Sequence, residues 1–269
     1  MKFRILVAML AIISLPATAA PLTYDCQARM TRVESVPPID PADTHPWQCT
    51  APSAKTPSAT HWQRNALEYC QIARGLYGDA LLAARRIAKT HRPRQWIVVM
   101  DADETVLDNS LFERERNRCG NDFQDAQWES WVKADMARDV PGAALFTRTV
   151  RKLGGLVAIV TNRKASDDAI TRATLKKAGI GFDYDIGMGD TEDKTERWRG
   201  AVTALAHKFG GHPRAAMFVG DQMSDLAVLG KDGAILRAMD QKDRGTGIGT
   251  DLFLVPNPMY GNWQDNPDR

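Results

Sequence analysis

The chain has 269 residues, 25% of them charged and 43% hydrophobic, with a formal net charge of +2. That is an ordinary globular balance, enough for one sizeable core and a smaller subdomain. No run of five or more Lys/Arg occurs, which excludes a polyanion-binding tail, and a nucleic-acid polymer is not expected as a partner.

Residues 1–20 read as a secretory signal peptide. Lys2 and Arg4 give a basic start, Ile5 to Leu15 is apolar except for Ser14, and Pro16 is followed by the small residues Ala17-Thr18-Ala19-Ala20. The apolar run is too short to span a bilayer. No Cys follows directly, so no lipid anchor is expected, and the mature protein should be periplasmic or secreted without a stable membrane anchor. The four cysteines, Cys26, Cys49, Cys70 and Cys119, allow two disulfides in three connectivities. The pairing favoured is Cys26–Cys49, stapling a Pro-rich arm, with Cys70–Cys119 as the remainder. No Cys-x-x-Cys or His-x-x-x-His spacing points to zinc.

In chain order, residues 21–60 are proline-rich and read as an extended arm. From Trp62 to Ile87 apolar residues recur at helical spacing, which predicts one long helix over 61–90, capped by Thr60 and ended before Pro93; Gly75 and Gly78 are its weak points. Trp96 to Met100 is an apolar run that reads as a strand buried on both faces. Residues 107–140 lack strand character and contain short helices built around Phe123, Trp128, Trp131, Val132 and Met136. With the 61–90 helix they are expected to form a small helical cap within one domain spanning 61–269. Pro141 is expected to open a helix to Lys152. Further strands are expected at 156–160, 181–186, 215–219 and 252–255, with helices at 166–178 and from Arg199 to Phe209. Strands alternating with helices predict an α/β fold with a doubly wound parallel sheet.

Three strands end in polar residues. The first delivers Asp101 and Asp103, the second Thr161, Asn162 and Arg163, and the fourth Asp221 and Asp225. In an open parallel sheet these ends share one edge, where ligands bind. So many carboxylates repel one another unless a cation offsets them, and Mg2+ fits an oxygen-donor site of this kind. A carboxylate can attack phosphorus, a second carboxyl can protonate the leaving alkoxide and later activate water, and Lys194 can offset charge on the phosphoryl oxygens.

The order DADET, TN, Lys194, GDQMSD resembles the haloacid dehalogenase superfamily of phosphohydrolases. DADETVLDNS, IVTNR, VGDQMSDL and NPMYGNW, with HWQRNALEY near the start, are similar to the bacterial class C non-specific acid phosphatases, over roughly residues 60–263. The resemblance implies Asp101 as nucleophile and Asp103 as general acid/base. It implies Mg2+ held by Asp101, the backbone carbonyl of Asp103 and Asp221, with Asp225 either holding the metal through water or orienting Lys194. Thr161 and Asn162 would bind phosphate. Arg163 would bind phosphate or brace the loop. Arg197 and Arg199 are near enough to stand in for Lys194. Trp128 and Tyr260 are candidate substrate contacts, with plain packing as the alternative for each. The implied activity is hydrolysis of phosphomonoesters such as 5′-nucleotides and aryl phosphates. Phosphotransfer to alcohols and non-catalytic nucleotide binding stand as alternatives. The oligomeric state, a homodimer included, is open.

Overall fold

A computed structural model describes residues 25–31 and 34–267; the expected signal peptide lies outside them. The elements run α1 (Cys26–Thr31), α2 (Ser58–Asn65), α3 (Leu67–Thr90), β1 (Trp96–Met100), β2 (Leu107–Asp108), α4 (Ser110–Arg118), α5 (Asp125–Ala134), β3 (Arg138–Asp139), α6 (Ala143–Lys152), β4 (Leu156–Lys164), α7 (Asp168–Lys177), β5 (Tyr184–Met188), α8 (Thr195–Phe209), β6 (Arg214–Gly220), β7 (Ala227–Leu229), β8 (Ile235–Ala238) and β9 (Leu252–Leu254).

The main sheet has the order β5-β4-β1-β6-β9 and every pairing in it is parallel. β1 lies at its centre and all five of its residues are buried. Its side chains divide with the two-residue period of a strand. Trp96, Val98 and Met100 pack into one core with Ala73, Tyr77 and Ala84 of α3 and Phe146 and Val150 of α6. Ile97 and Val99 face the opposite core, formed with Trp198, Ala201 and Leu205 of α8. Each such side chain contributes roughly 1.5–3 kcal/mol by leaving water. Helices therefore cover both faces, and the α/β doubly wound architecture is the one expected.

Several expectations are corrected. The 61–90 helix is two helices. Ala66 is extended (ψ 130), and the break falls there, not at Gly75 or Gly78. Its cause is packing: α2 lies against α4, whereas α3 lies against α6. α3 thus belongs to the layer covering the sheet, with its Tyr77 hydroxyl donating to Thr105 O (2.6 Å), while residues of 107–140 line the cavity described below. Thr60 is inside α2, whose N-cap position is Pro57. α6 starts at Ala143, not Pro141. Gly142 precedes it with φ +98, and a Cβ there would come within 3.0 Å of the Tyr77 Cβ, so only glycine brings the chain this close to α3. β5 is displaced toward its C-terminal side relative to the expected 181–186. The antiparallel pairs β2–β3 and β7–β8 were not expected, since strands of two to four residues carry no readable period.

The disulfides are Cys26–Cys70 and Cys49–Cys119, not the expected pairing. α1 packs on α3, which sets Cys26 against Cys70. The arm runs along the end of α4, where Ser53 N and Ala54 N donate to Arg118 O (2.8 and 3.1 Å), and this sets Cys49 beside Cys119. Each bond therefore ties the arm to the body of the fold. The arm also has a core residue of its own: Trp47 is buried and meets Trp131 edge to face at 4.9 Å.

Candidate active site

β1 runs straight into the site. The last bond of its ladder, Asp101 N to Val219 O (3.0 Å), holds Asp101 at the carboxyl edge. The Asp101 carboxylate is buried and accepts from the Lys194 ammonium, which also donates to Asp225 Oδ1 at 2.7 Å. Lys194 stands at the N-cap of α8, so this helix delivers the cation. Burial pushes the Asp101 carboxyl up to about 7; Lys194 opposes the shift, and Asp225 and Asp103 reinforce it. Burial works against the Lys194 ammonium, yet Asp101 and Asp225 outweigh it and hold its pKa above the usual lysine value.

Asp101, Asp221 and Asp225 each offer a carboxylate oxygen, and these oxygens lie within 4.8 Å of one another. Enclosure pushes Asp221 well above the usual carboxylate value, and Asp225 and Asp101 add to this, while Asn257 Nδ2, donating at 2.8 Å, opposes it. One lysine for three carboxylates leaves an excess of negative charge. The donors are all hard oxygens, the set that suits Mg2+, Mn2+ or Ca2+ and not a soft metal. The residues present therefore fit a divalent cation. Gly220 makes the arrangement possible: a Cβ there would lie 2.0 Å from the Asp225 Cβ.

Asp103 is turned away from this cluster. Its carboxylate accepts from Arg163 Nη2 (2.7 Å) and Nε (3.0 and 3.1 Å) and from Asn109 Nδ2 (2.8 Å). This carboxylate is thus committed to a guanidinium; the metal ligand expected of Asp103 is its backbone carbonyl, not this side chain. The physical reason is the turn itself. Glu104 takes φ +57, and the chain folds back so that Asn109 reaches Asp103.

One cavity of about 750 Å³ is lined by nine of the ten residues expected at the site: Asp101, Asp103, Trp128, Asn162, Arg163, Lys194, Asp221, Asp225 and Tyr260. Thr161 is the exception. It is buried, and its Oγ1 accepts from Arg163 N (3.1 Å) and donates to Asp103 Oδ2 (3.4 Å). Arg163 makes the contacts to Asp103 that a brace would make and also lines the cavity. Arg197 does not stand in for Lys194; it donates to Thr161 O and to Asn162 Oδ1 (2.6 Å) from behind. Tyr260 lines the cavity and donates its hydroxyl to Glu104. Trp128 also lines it, with the Arg163 guanidinium 5.7 Å from its ring centroid. Trp131 is a core residue and donates Nε1 to Asn109 Oδ1 at 2.8 Å.

Sequence reasoning missed Glu104, Asn109, Glu113, Arg116 and Asn257. Glu104 and Asn109 carried one signal: both are polar residues inside a stretch that is otherwise buried. Glu113 and Arg116 of α4 and Phe123 ahead of α5 form a wall of the cavity, and nothing in their local pattern distinguishes that wall from a solvated helix face.

The site can be set beside known proteins. A family model described as HAD superfamily, subfamily IIIB (Acid phosphatase), matches residues 22–263. Acid phosphatase 1 of Solanum lycopersicum is 27% identical over 171 residues, covering 60% of this chain and 57% of that protein. Stem 31 kDa glycoprotein of Glycine max is 25% identical over 166 residues, 61% of this chain and 59% of that protein. The match therefore spans less than two thirds of the length of these relatives. Among solved structures, the class C acid phosphatase from Bacillus anthracis superposes with a TM-score of 0.64 at 24% identity, covering 77% of this chain and 85% of that one, and its tungstate-bound form gives the same values. That likeness concerns the fold. With the family model covering nearly the whole chain, the protein belongs to the HAD superfamily, subfamily IIIB (acid phosphatase) family.

Proposed function

We propose that this protein is an exported, Mg2+-dependent acid phosphatase that hydrolyses phosphomonoesters through an aspartyl-phosphate. One observation carries the reading: two carboxylates from one turn line the same cavity with opposite partners. Asp101 lies against Lys194 and the carboxylate cluster, and Asp103 lies against Arg163 and Asn109. A binding protein has no use for that division.

In the first step an Asp101 carboxylate oxygen attacks phosphorus, the ester P–O bond breaks, and Asp103 gives its proton to the leaving oxygen. In the second, Asp103 takes a proton from water as that water attacks the aspartyl-phosphate. Phosphate leaves and Asp101 is restored. Lys194 offsets charge on the phosphoryl oxygens and holds Asp101 in place. Mg2+, held by Asp101, Asp221 and the Asp103 carbonyl with Asp225 behind them, would supply the remaining charge neutralisation. Residues 107–140 act as the substrate-selecting cap. Phe123 and Trp128 on that wall, with Tyr260 opposite in sequence at the far end of the chain, favour flat leaving groups such as the nucleosides of 5′-nucleotides and aryl alcohols. Export rests on the order of basic, apolar and small residues in 1–20. No helix among the described residues is long and apolar enough to cross a membrane.

The test is phosphate release from a nucleoside 5′-monophosphate and an aryl phosphate at mildly acid pH, with Mg2+ and then with excess chelator. Release that the chelator abolishes is expected from both. No release from either substrate ends the reading.

A further inference from the structure

As an acid, Asp103 must carry its proton on one of two oxygens, and that oxygen must be aimed at the leaving group. Asn109 bears on both. It is fully buried, and all its side-chain hydrogen-bonding groups are engaged. Its Oδ1 accepts from Trp131 Nε1 (2.8 Å) and from Arg163 Nη2 (3.2 Å). Indole and guanidinium nitrogens only donate, so the oxygen of the carboxamide must face them. Its Nδ2 then points the other way, toward two carboxylates, Asp103 Oδ1 (2.8 Å) and Glu104 Oε2 (3.1 Å). The orientation is chemically determined, because a flipped amide would set donor against donor and oxygen against carboxylate.

The turn is built to keep it there. Glu104 takes left-handed backbone (φ +57), a conformation that is strained for a non-glycine residue and needs its surroundings to hold it. Its carboxylate is held in return by Asn109 N (2.7 Å), by Asn109 Nδ2 and by the Tyr260 hydroxyl.

The donors on Asp103 are distributed unevenly. Oδ1 takes Arg163 Nη2, Arg163 Nε and Asn109 Nδ2. Oδ2 takes only the shared Arg163 Nε (3.1 Å) and a long contact from the Thr161 hydroxyl (3.4 Å). Three N–H groups on Oδ1 leave no room for a proton there. We infer that Asn109 is a positioning residue for proton transfer: clamped by Trp131, it fills Asp103 Oδ1 together with Arg163 and leaves Oδ2 as the oxygen that protonates the leaving group. This rests on the phosphatase reading. In balance, the ester P–O bond breaks as Asp101 bonds to phosphorus, and the proton passes from Asp103 Oδ2 to the departing oxygen.

The experiment uses leaving-group dependence. An alkyl phosphate needs a proton on its departing oxygen; 4-nitrophenyl phosphate does not. Asn109→Ala is expected to lower kcat/KM for an alkyl monoester by about a hundredfold, within the range for loss of general-acid help, and for 4-nitrophenyl phosphate by less than about threefold. Trp131→Phe keeps a ring in the core and removes only the N–H that fixes the amide. It should show the same asymmetry, smaller, and it reads out the inference should Asn109→Ala not fold. Asp103→Asn gives the benchmark pattern. Equal losses on both substrates in the folded Asn109 or Trp131 variant would overturn the inference while leaving the phosphatase reading intact. A parent enzyme that turns over neither substrate removes both.

Discussion

Two sets of enclosed carboxylates, Asp108 in β2 and the pair Asp101 and Asp221 at the sheet edge, behave in opposite ways. Asp108 is buried and answered: Arg29 donates to it, Arg138 lies 3.7 Å away, and Ser110 N donates at 3.0 Å. Burial alone would raise its pKa, but Arg29 and then Arg138 overcome this and hold the carboxyl well below the usual range. Asp101 and Asp221 are held high by burial and by the carboxylates around them, and Lys194 and Asn257 offset this only in part. The first arrangement is complete without a ligand and works as a structural fastening, joining α1 to the strand after the catalytic turn. The second is incomplete as protein, and an incomplete buried charge set is what a metal and a phosphoryl group would complete.

The comparison predicts opposite outcomes for removing one charge from each group. The largest effect is expected from Asp101→Asn. It should cost at least about four orders of magnitude in kcat/KM, as loss of a nucleophile does. Its thermal midpoint should stay level or rise, because a repelling charge has gone. Retained turnover would sink the nucleophile assignment. Arg29→Ala should do the reverse. Removing the cation that donates to the buried Asp108, with only Arg138 at 3.7 Å and Ser110 N left to answer it, is expected to cost about 3–5 kcal/mol of stability, read by denaturant unfolding, with kcat/KM of the folded fraction within about threefold of the parent.

Next comes the fastening of the arm. Replacing Cys49 and Cys119 together by Ser opens a loop with a sequence separation of 70 residues. A loss of about 2–4 kcal/mol is expected, by unfolding with and without reductant. No difference between oxidised and reduced parent would show that the arm is held by Trp47 and its hydrogen bonds alone.

The remaining effect is in pH, and it distinguishes the groups by sign. Asp101 has its folded pKa raised from 3.8 to about 7, so the metal-free folded protein binds a proton that the unfolded chain does not, and stability falls as pH rises between those values. Asp108 has its folded pKa depressed, so its contribution is present above 3.8 and is lost as pH falls below it. Melting of the chelator-treated protein should therefore be highest near pH 4–5 and decline on either side, on the scale set by these two values. Mg2+ should remove the decline on the neutral side only. A chelated protein as stable at neutral pH as at pH 5 would contradict the charge excess.

The catalytic edge was readable because it is local. An apolar run that alternates between two cores and stops at a carboxylate is a property of Trp96–Asp103 alone, and the same holds for the ends of β4 and β6. Strands in one parallel sheet then have to place Asp101, Asn162 and Asp221 together. The sequence by itself thus determined the layers, the edge and the side chains that meet there. Only the tertiary structure decided which cysteines pair, that the chain breaks at Ala66, that Arg163 clamps Asp103, and that Asn109 lies between them. Arg163 and Asn109 are 54 positions apart, and Cys49 and Cys119 are 70. Pairings over such distances are chosen by the packing of whole elements against each other, and the periodicity of a single segment holds no record of that choice.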